Sequence, residues 1–381
     1  MKLSIIDIWT RLRVKLNKTI AAGISNGVMQ FGDNNDYPQV TERLINASVT
    51  ARSCSRILRS FIVGKGFNEE VNNIVVGYDL RGREVTVMKL MTLLAGDIAK
   101  HNGCYVHVAQ NVLGAIKELT YVPFKNCRFG KVDDLGYTSY IHVYDNWEKT
   151  AKFERDKIRV YPIYSPNLTV FAKRVEAAGG IERFGGQIDF FFNEDEYLYP
   201  LSQIDSVFHD VDAEFGVGQL RDNIFRNGML EKVIFRVSPQ PDDRAREEIK
   251  EALRQLVSSD GDPVMIIEDD VDETGVITDK NFKIDKIPNT ITPEIFEKLE
   301  PLLVNRIRKA FFAIPQILIE YDESKMGTTS GEALTQAVNY YNAITSELRT
   351  NFRNWIVGLL QEFDNPTLQA NNDWTIKPLQ L

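Results

Sequence analysis

The sequence has little that could hold a metal or close a covalent crosslink. It carries three cysteines, Cys54, Cys104 and Cys127, an odd number without metal-like spacing. The expectation is therefore buried, inert thiols in a reducing compartment rather than a disulfide framework or a zinc knuckle. The four histidines, His101, His107, His142 and His209, form no H-E-x-x-H pair. His107 and His142 fall on strand-like segments, but two imidazoles without a positioned carboxylate are too little for zinc or acid–base chemistry. The nucleophile elbow, the Walker loop and the dinucleotide fingerprint are all missing, and Gly216-Val-Gly218 follows an apolar helical run instead of a strand. No run of eighteen apolar residues is present, and Met1-Lys-Leu-Ser-Ile-Ile-Asp-Ile-Trp9 mixes charge into its apolar residues too early for a secretory signal. The sequence therefore gives no reason to expect a cofactor, a metal, a catalytic residue or a membrane span.

A basic excess is also lacking. Lys and Arg total 45 against 53 Asp and Glu, a formal net charge of -8. That balance excludes a protein held to nucleic acid by an overall basic face, though not a surface that DNA passes without sticking. In the acidic stretch that begins at Glu268, counting from Asp270, the residues Asp272, Thr274 and Gly275 fit the early positions of a calcium loop and Ile277 the apolar one. Asn281 stands where a bidentate glutamate is needed, so a solvated acidic turn is expected.

What the sequence does have is length and helical periodicity. Its 381 residues, 43% hydrophobic and 26% charged, suit two or three structural units of an ordinary soluble kind. Residues 1–22 can form an amphipathic helix through Ile5, Ile8, Trp9, Leu12 and Leu16, and 23–38 is dense in turn formers. Helices are expected over about 39–62 and 84–101, the second ending at His101-Asn-Gly103, where Asn and Gly tolerate the left-handed conformation. From Cys104 the apolar period falls from 3.6 to 2 through 105–108, 116–122, 137–144 and 157–162, then again at Gln187-Ile-Asp-Phe-Phe-Phe192, so this part reads as α+β with mainly antiparallel strands. Phe190–Phe192 and Tyr340-Tyr341 lack basic interleaving and read as packing. A further helix over about 202–227, with Ser202 as its cap and Gly216 and Gly218 inside, is expected to kink or be closely approached.

After it comes a small αβ unit. It consists of a strand at 231–237, a charged helix at about 242–257, a strand at 263–267, the acidic loop and a strand from Asn281. A helix from about 292 then breaks at Ala313-Ile314-Pro315, because proline disfavours the α region in the residue before it. A polar link, Tyr321–Gly331, leads into the longest periodic run, Leu334 to Leu359. Thr329 and Glu332 have capping-box spacing at its start, and Asn365-Pro366 stops it. As one helix, 330–363 would span about 50 Å.

This order resembles the portal proteins of tailed bacteriophages, in a compact form with a minimal crown. The resemblance rests on Asn223-Ile-Phe-Arg-Asn-Gly228, the 229–286 insert, Ile307-Arg-Lys-Ala-Phe-Phe-Ala-Ile-Pro-Gln-Ile-Leu318, the run from Ser330 through Trp355, and Phe31-Gly-Asp-Asn-Asn-Asp-Tyr-Pro-Gln39. It implies a portal-like α+β subunit. In that layout 1–38 is an N-terminal arm, 39–201 a wing, 202–228 a stem helix, 229–290 a clip and 291–314 a second stem helix. Residues 315–330 form the wing return and channel loop, 331–364 a long channel-side helix and 365–381 a short tail. The two stem helices are expected to hold the clip away from the main body.

The resemblance further implies a homo-oligomeric ring, usually of twelve subunits, assembled in the host cytoplasm and placed at one capsid vertex of the virion. Its partners would be double-stranded DNA passing non-specifically, the terminase large subunit, the major capsid protein and a head-tail adaptor. Ser324, Lys325, Thr328 and Thr329 would lie nearest DNA. Arg244, Arg246, Lys250 and Arg254 would serve docking; Arg246–Lys250 and Glu247–Glu251 are like-charged pairs one turn apart that gain nothing within their own helix. Two other readings stay open: a non-viral oligomeric adaptor or scaffold, and a metal-dependent hydrolase using Asp189, Glu194 and Asp195.

Overall fold

The computed structural model describes residues 24–25, 27–79, 81–132, 137–148, 155–193, 198–227, 232–237, 264–268, 283–287, 293–320 and 330–380. The fold is α+β. The chain divides into two compact units, Met1–Phe208 with Arg306–Leu381, and His209–Asn305.

The first unit begins with a short hairpin, β1 (Ile24–Ser25) and β2 (Val28–Met29), followed by α1 (Tyr37–Ala47), α2 (Val49–Val63) and the single turn α3 (Glu69–Asn72). Strands β3 (Val75–Tyr78) and β4 (Glu84–Thr86) pair antiparallel and lead into α4 (Val87–His101). Helix α4 buries Val87, Leu90, Met91, Leu94 and Ile98 almost completely, each worth about 1.5–3 kcal/mol relative to exposure. It ends as its sequence indicates, with Asn102 left-handed at φ 59 and its N–H donated to Ile98 O.

Then come β5 (Gly103–Gln110), β6 (Ile116–Val122), β7 (Cys127–Phe129), β8 (Tyr140–Val143), β9 (Arg159–Pro162), helix α5 (Leu168–Ala178) and β10 (Gln187–Phe192). They form two antiparallel sheets, ordered β10-β5-β6 and β7-β8-β9. An aromatic layer fills the core beside them: Tyr105, Phe124, Phe129, Phe190 and Phe192 meet through ring contacts at centroid distances of 4.9–6.3 Å.

The second unit holds most of α6 (Phe208–Asn227), the strands β11 (Lys232–Val237), β12 (Val264–Glu268) and β13 (Lys283–Ile287), and most of α7 (Pro293–Ala310). Strand β11 is central, parallel to β12 from Val233↔Val264 and antiparallel to β13 from Lys232↔Ile287. Arg221 on α6 and Glu300 on α7 form an ion pair at 3.0 Å. Being substantially exposed, it contributes at most about 1 kcal/mol. The chain finishes in the first unit with α8 (Ser330–Ile344), α9 (Ser346–Gln361) and the short α10 (Pro366–Ala370).

Several sequence expectations shift. The single helix over 39–62 is two, because Ser48 leaves helical geometry (ψ 127) and its Oγ accepts Ala51 N–H at 2.9 Å, starting a new helix. The helix placed over 202–227 begins only at Phe208, after a 3-10 turn at Asp205–Val207. Ser202 does not cap it, since its Oγ donates to Lys100 O. Helix α6 runs unbroken through Gly216 and Gly218, and among the described residues a Cβ at either would meet nothing within 4 Å, so the expected close approach is not found among them. The run 330–363 is interrupted at Thr345, whose ψ of 2 departs from helical values while its hydroxyl donates to Tyr341 O at 2.8 Å. Its two halves, α8 and α9, are about 22 and 24 Å long rather than one span of 50 Å. Pro301 sits inside α7, and the helix ends at Ala310 with Phe312 and Ala313 both left-handed, just before Pro315. The expected helix over 1–22, the helix over 242–257 and Thr329 at the capping-box position lie outside the described residues.

One charged side chain is central to the first unit. Arg128 has no exposed surface. Its Nε donates to Asn35 Oδ1 at 2.8 Å, Nη2 to Asn35 O at 2.7 Å and Gln39 Oε1 at 3.2 Å, and Nη1 to Cys127 O at 2.7 Å and Lys125 O at 3.1 Å. Its guanidinium also lies over the Phe31 and Trp147 rings, at 5.5 and 5.7 Å. A lysine cannot reproduce the planar fork. Replacement Arg128→Lys is expected to lower the unfolding free energy of the first unit by about 3–5 kcal/mol, read from urea denaturation. A change under about 0.5 kcal/mol, the size of an ordinary surface substitution, would show the clamp to be dispensable.

Candidate functional site

The residues assigned by resemblance to the channel loop, Ser324, Lys325, Thr328 and Thr329, and those assigned to docking, Arg244, Arg246, Lys250 and Arg254, lie outside the described residues. What the structure supplies is the frame on either side of each group. The docking candidates fall in sequence between β11 and β12, a parallel pair. Parallel neighbours require a crossover connection between them.

The loop candidates fall between a 3-10 turn at Gln316–Leu318 and α8. The near side is fixed by Arg308 Nε donating to Ile314 O at 2.8 Å, with Phe311 and Ile314 fully buried. The far side is fixed by buried Tyr341, whose hydroxyl donates to Phe311 O at 2.9 Å and whose ring meets Phe61 edge-on at 4.8 Å. The described chain before and after 321–329 is thus anchored, through Phe311 and Tyr341, in one buried cluster.

Of the hydrolase candidates, Glu194 and Asp195 lie outside the described residues. Asp189 is partly buried on β10, and its Oδ2 accepts Trp355 Nε1–H at 2.9 Å. Burial pushes its carboxyl up to about 6, opposed by the Phe190 N–H and the Trp355 indole. That arrangement joins β10 to α9. His107 is turned to Gly185 O at 2.7 Å and to the Tyr161 ring, while His142 sits on β8 in the other sheet. Buried His101 stacks on Phe124 at 4.8 Å, and desolvation holds its pKa down to about 3. The three cysteines are buried thiols outside any disulfide. Among the described residues no group of three His, Cys, Asp or Glu could hold a metal ion, and no helix is long and apolar enough to cross a membrane. The stretch 269–273 lies outside those residues.

Sequence reasoning missed a polar groove between α2 and α4. It is lined by Arg52, Arg56 and Arg59 on one wall and by Thr92, Asp97 and Lys100 on the other, with Tyr121 from β6. The spacing of four and three residues between the arginines is a signal in the sequence, but it shares its helix with a stronger apolar stripe that reads simply as core. Asp97 Oδ2 accepts Tyr121 Oη–H and Phe124 N–H, both at 2.9 Å. Nearby, Glu42 bridges Lys100 and Lys125 at 2.9 Å each, and those two ammonium groups outweigh its desolvation to hold its carboxyl down at about 2.

Burial raises the Asp97 carboxyl to about 7. The folded chain therefore keeps a proton that the unfolded chain loses near pH 4, and stability falls as pH rises from about 4 to 7. Glu42 acts with the opposite sign and below that window, its contribution being lost as pH falls from about 4.5 toward 2. Replacement Asp97→Asn removes the Asp97 contribution. The stability of the variant relative to the native chain is expected to rise by a few kcal/mol between pH 4 and 7, since retaining one proton against a tenfold drop in proton activity costs about 1.4 kcal/mol. Urea melts across that range check it, and a pH-independent difference would contradict the assignment.

No family model matches the chain, and no curated protein matches it. Among solved structures, it is similar to a chain of the virion of the native gene transfer agent particle, at 12% identity over 87% of this chain and 86% of that one, with a TM-score of 0.45. It is similar to a chain of the neck of the native gene transfer agent particle computed with C12 symmetry, at 12% identity over 86% and 81%, with a TM-score of 0.45. It is also similar to an HK97-family phage portal protein from Corynebacterium diphtheriae, at 7% identity over 77% and 84%, with a TM-score of 0.39.

Proposed function

We propose that this chain is a portal subunit. Copies close into a ring at one capsid vertex, the ring conducts double-stranded DNA during packaging and ejection, and its faces dock the terminase large subunit, the major capsid protein and a head-tail adaptor. The observation that carries this reading is the way the chain divides. It leaves the first unit at Phe208, at the start of α6, and returns at Arg306, inside α7. Both crossings therefore fall in helices, and the strands between them form a small sheet of their own. That is the order of stem helix, clip and stem helix in the portal resemblance. The proline break, the segment 321–329 and the helices α8 and α9 then correspond to the channel loop and the helical run behind it.

A conduit makes and breaks no bond, so it needs geometry and charge in place of a nucleophile. A net charge of -8 suits sliding, since few phosphate contacts form. In this reading Ser324, Lys325, Thr328 and Thr329 face DNA. A lone Lys325 there gives a transient, salt-screened contact instead of a hold. Arg244, Arg246, Lys250 and Arg254 face the docking partner.

The full-length chain, purified and viewed by electron microscopy alongside light scattering, is expected to give closed rings of about a dozen copies around a central hole, as in symmetric assemblies generally. A strict monomer over a wide concentration range would contradict the proposal. Closed dimers or trimers without a hole would replace it with an adaptor or scaffold role.

A further inference from the structure

The groove between α2 and α4 is a cavity of about 300 Å³ within the first unit. Arg52, Arg56 and Arg59 stand one turn apart along one face of α2, and none forms an ion pair or side-chain hydrogen bond among the described residues. Like charges spaced this way repel along a helix, so the row destabilises α2 unless something negative lies against it. The Arg59 stem runs alongside α4, its Cδ 3.5 Å from where a Cβ on Gly96 would be, an ordinary contact distance.

The groove does not neutralise itself. Its one carboxylate, Asp97, is turned to Tyr121 and the Phe124 N–H, while Lys100 is balanced by Glu42. Three guanidinium forks on one wall exceed what a single carboxylate, with two oxygens, can engage bidentately. A terminal phosphate offers three oxygens and up to two charges, and a nucleic-acid backbone offers two oxygens and one charge at each of several successive phosphates, so either supplies more than one carboxylate does.

We propose that this groove binds a phosphate group through Arg52, Arg56 and Arg59. The phosphate can come from a small free phosphate or from a nucleic-acid backbone. Because the site lies wholly in the first unit, its test does not depend on ring formation.

The test titrates the full-length chain with inorganic pyrophosphate and, separately, with a fluorescent DNA duplex of about 20 base pairs at about 50 mM salt. Binding is read by calorimetry and anisotropy. Saturable binding is expected that weakens roughly tenfold or more when Arg52→Gln, Arg56→Gln and Arg59→Gln are combined. A charge-matched control with Arg81→Gln, Lys89→Gln and Lys131→Gln, all exposed positions, is expected to bind as the native chain does. The single variant Arg56→Gln carries the same test, at a smaller fold-change, should the triple variant fail to fold. Pyrophosphate binding without duplex binding assigns the site to a small phosphate. Duplex binding that pyrophosphate displaces assigns it to a nucleic-acid backbone. The proposal is overturned if neither ligand binds, if the control loses as much affinity as the groove variant, or if a polyglutamate peptide binds where neither phosphate ligand does.

Discussion

The first unit is built around a positive charge that is taken out of solvent and hydrogen-bonded to neutral carbonyl and amide oxygens. A guanidinium taken out of solvent is tolerated only when its donors find acceptors. The acceptors of Arg128 are carbonyls and amides at residues 35, 39, 125 and 127, supplied by the turn before α1, by α1 itself and by the entry to β7. Satisfying this side chain therefore fixes where the segment 31–39 lies. Phe31 is then stacked against Tyr37 at 5.0 Å and Tyr199 at 4.3 Å. Tyr199 in turn accepts Phe129 N–H at 2.8 Å and donates to Met29 O at 2.9 Å.

From that clamp the order propagates to the points where the chain crosses between units. Tyr37 donates its hydroxyl to Asp205 Oδ1 at 2.8 Å and accepts Ser202 N–H at 3.1 Å, which fixes the approach to α6, and Ile204, Val207 and Phe208 are buried there. The return is held by buried Ile307, Phe311 and Ile314, with Tyr341 closing over Phe311. Farther on, the end of α9 joins the sheet: Ile116 donates to Glu362 O at 3.0 Å and Asp364 donates to Ile116 O at 2.7 Å. Both places where the chain passes between units are thus anchored by buried side chains of the first unit.

Much of this was legible in the residues. The switch of apolar period at Cys104, the left-handed cap at Asn102 and the proline stop after α7 each follow from backbone chemistry that a single residue type imposes. The breaks at Ser48 and Thr345 were harder to see, because the apolar stripe continues across both and only a hydroxyl bonding to a nearby backbone group marks the interruption. Arg128 was invisible for a different reason. A charged residue in a strand reads as solvent-facing, and its burial depends on acceptors about ninety residues away in sequence. The sheet order was likewise out of reach, since β10 pairs with β5 across intervening strands that form a sheet of their own. As for the candidate site, sequence supplied the order of segments, whereas the arginine row of α2 emerged only once α4 was seen to face it.

The chain divides into two compact units, passing between them within α6 and α7, and the account holds that each unit unfolds on its own. Hydrogen exchange across a urea series tests it most directly, because separate cores lose amide protection in separate cooperative steps. The account expects peptides from Gly103–Gln110 and Cys127–Phe129 to lose protection together, at a urea concentration distinct from that for peptides from Lys232–Val237 and Val264–Glu268. A single transition shared by all four segments would contradict it.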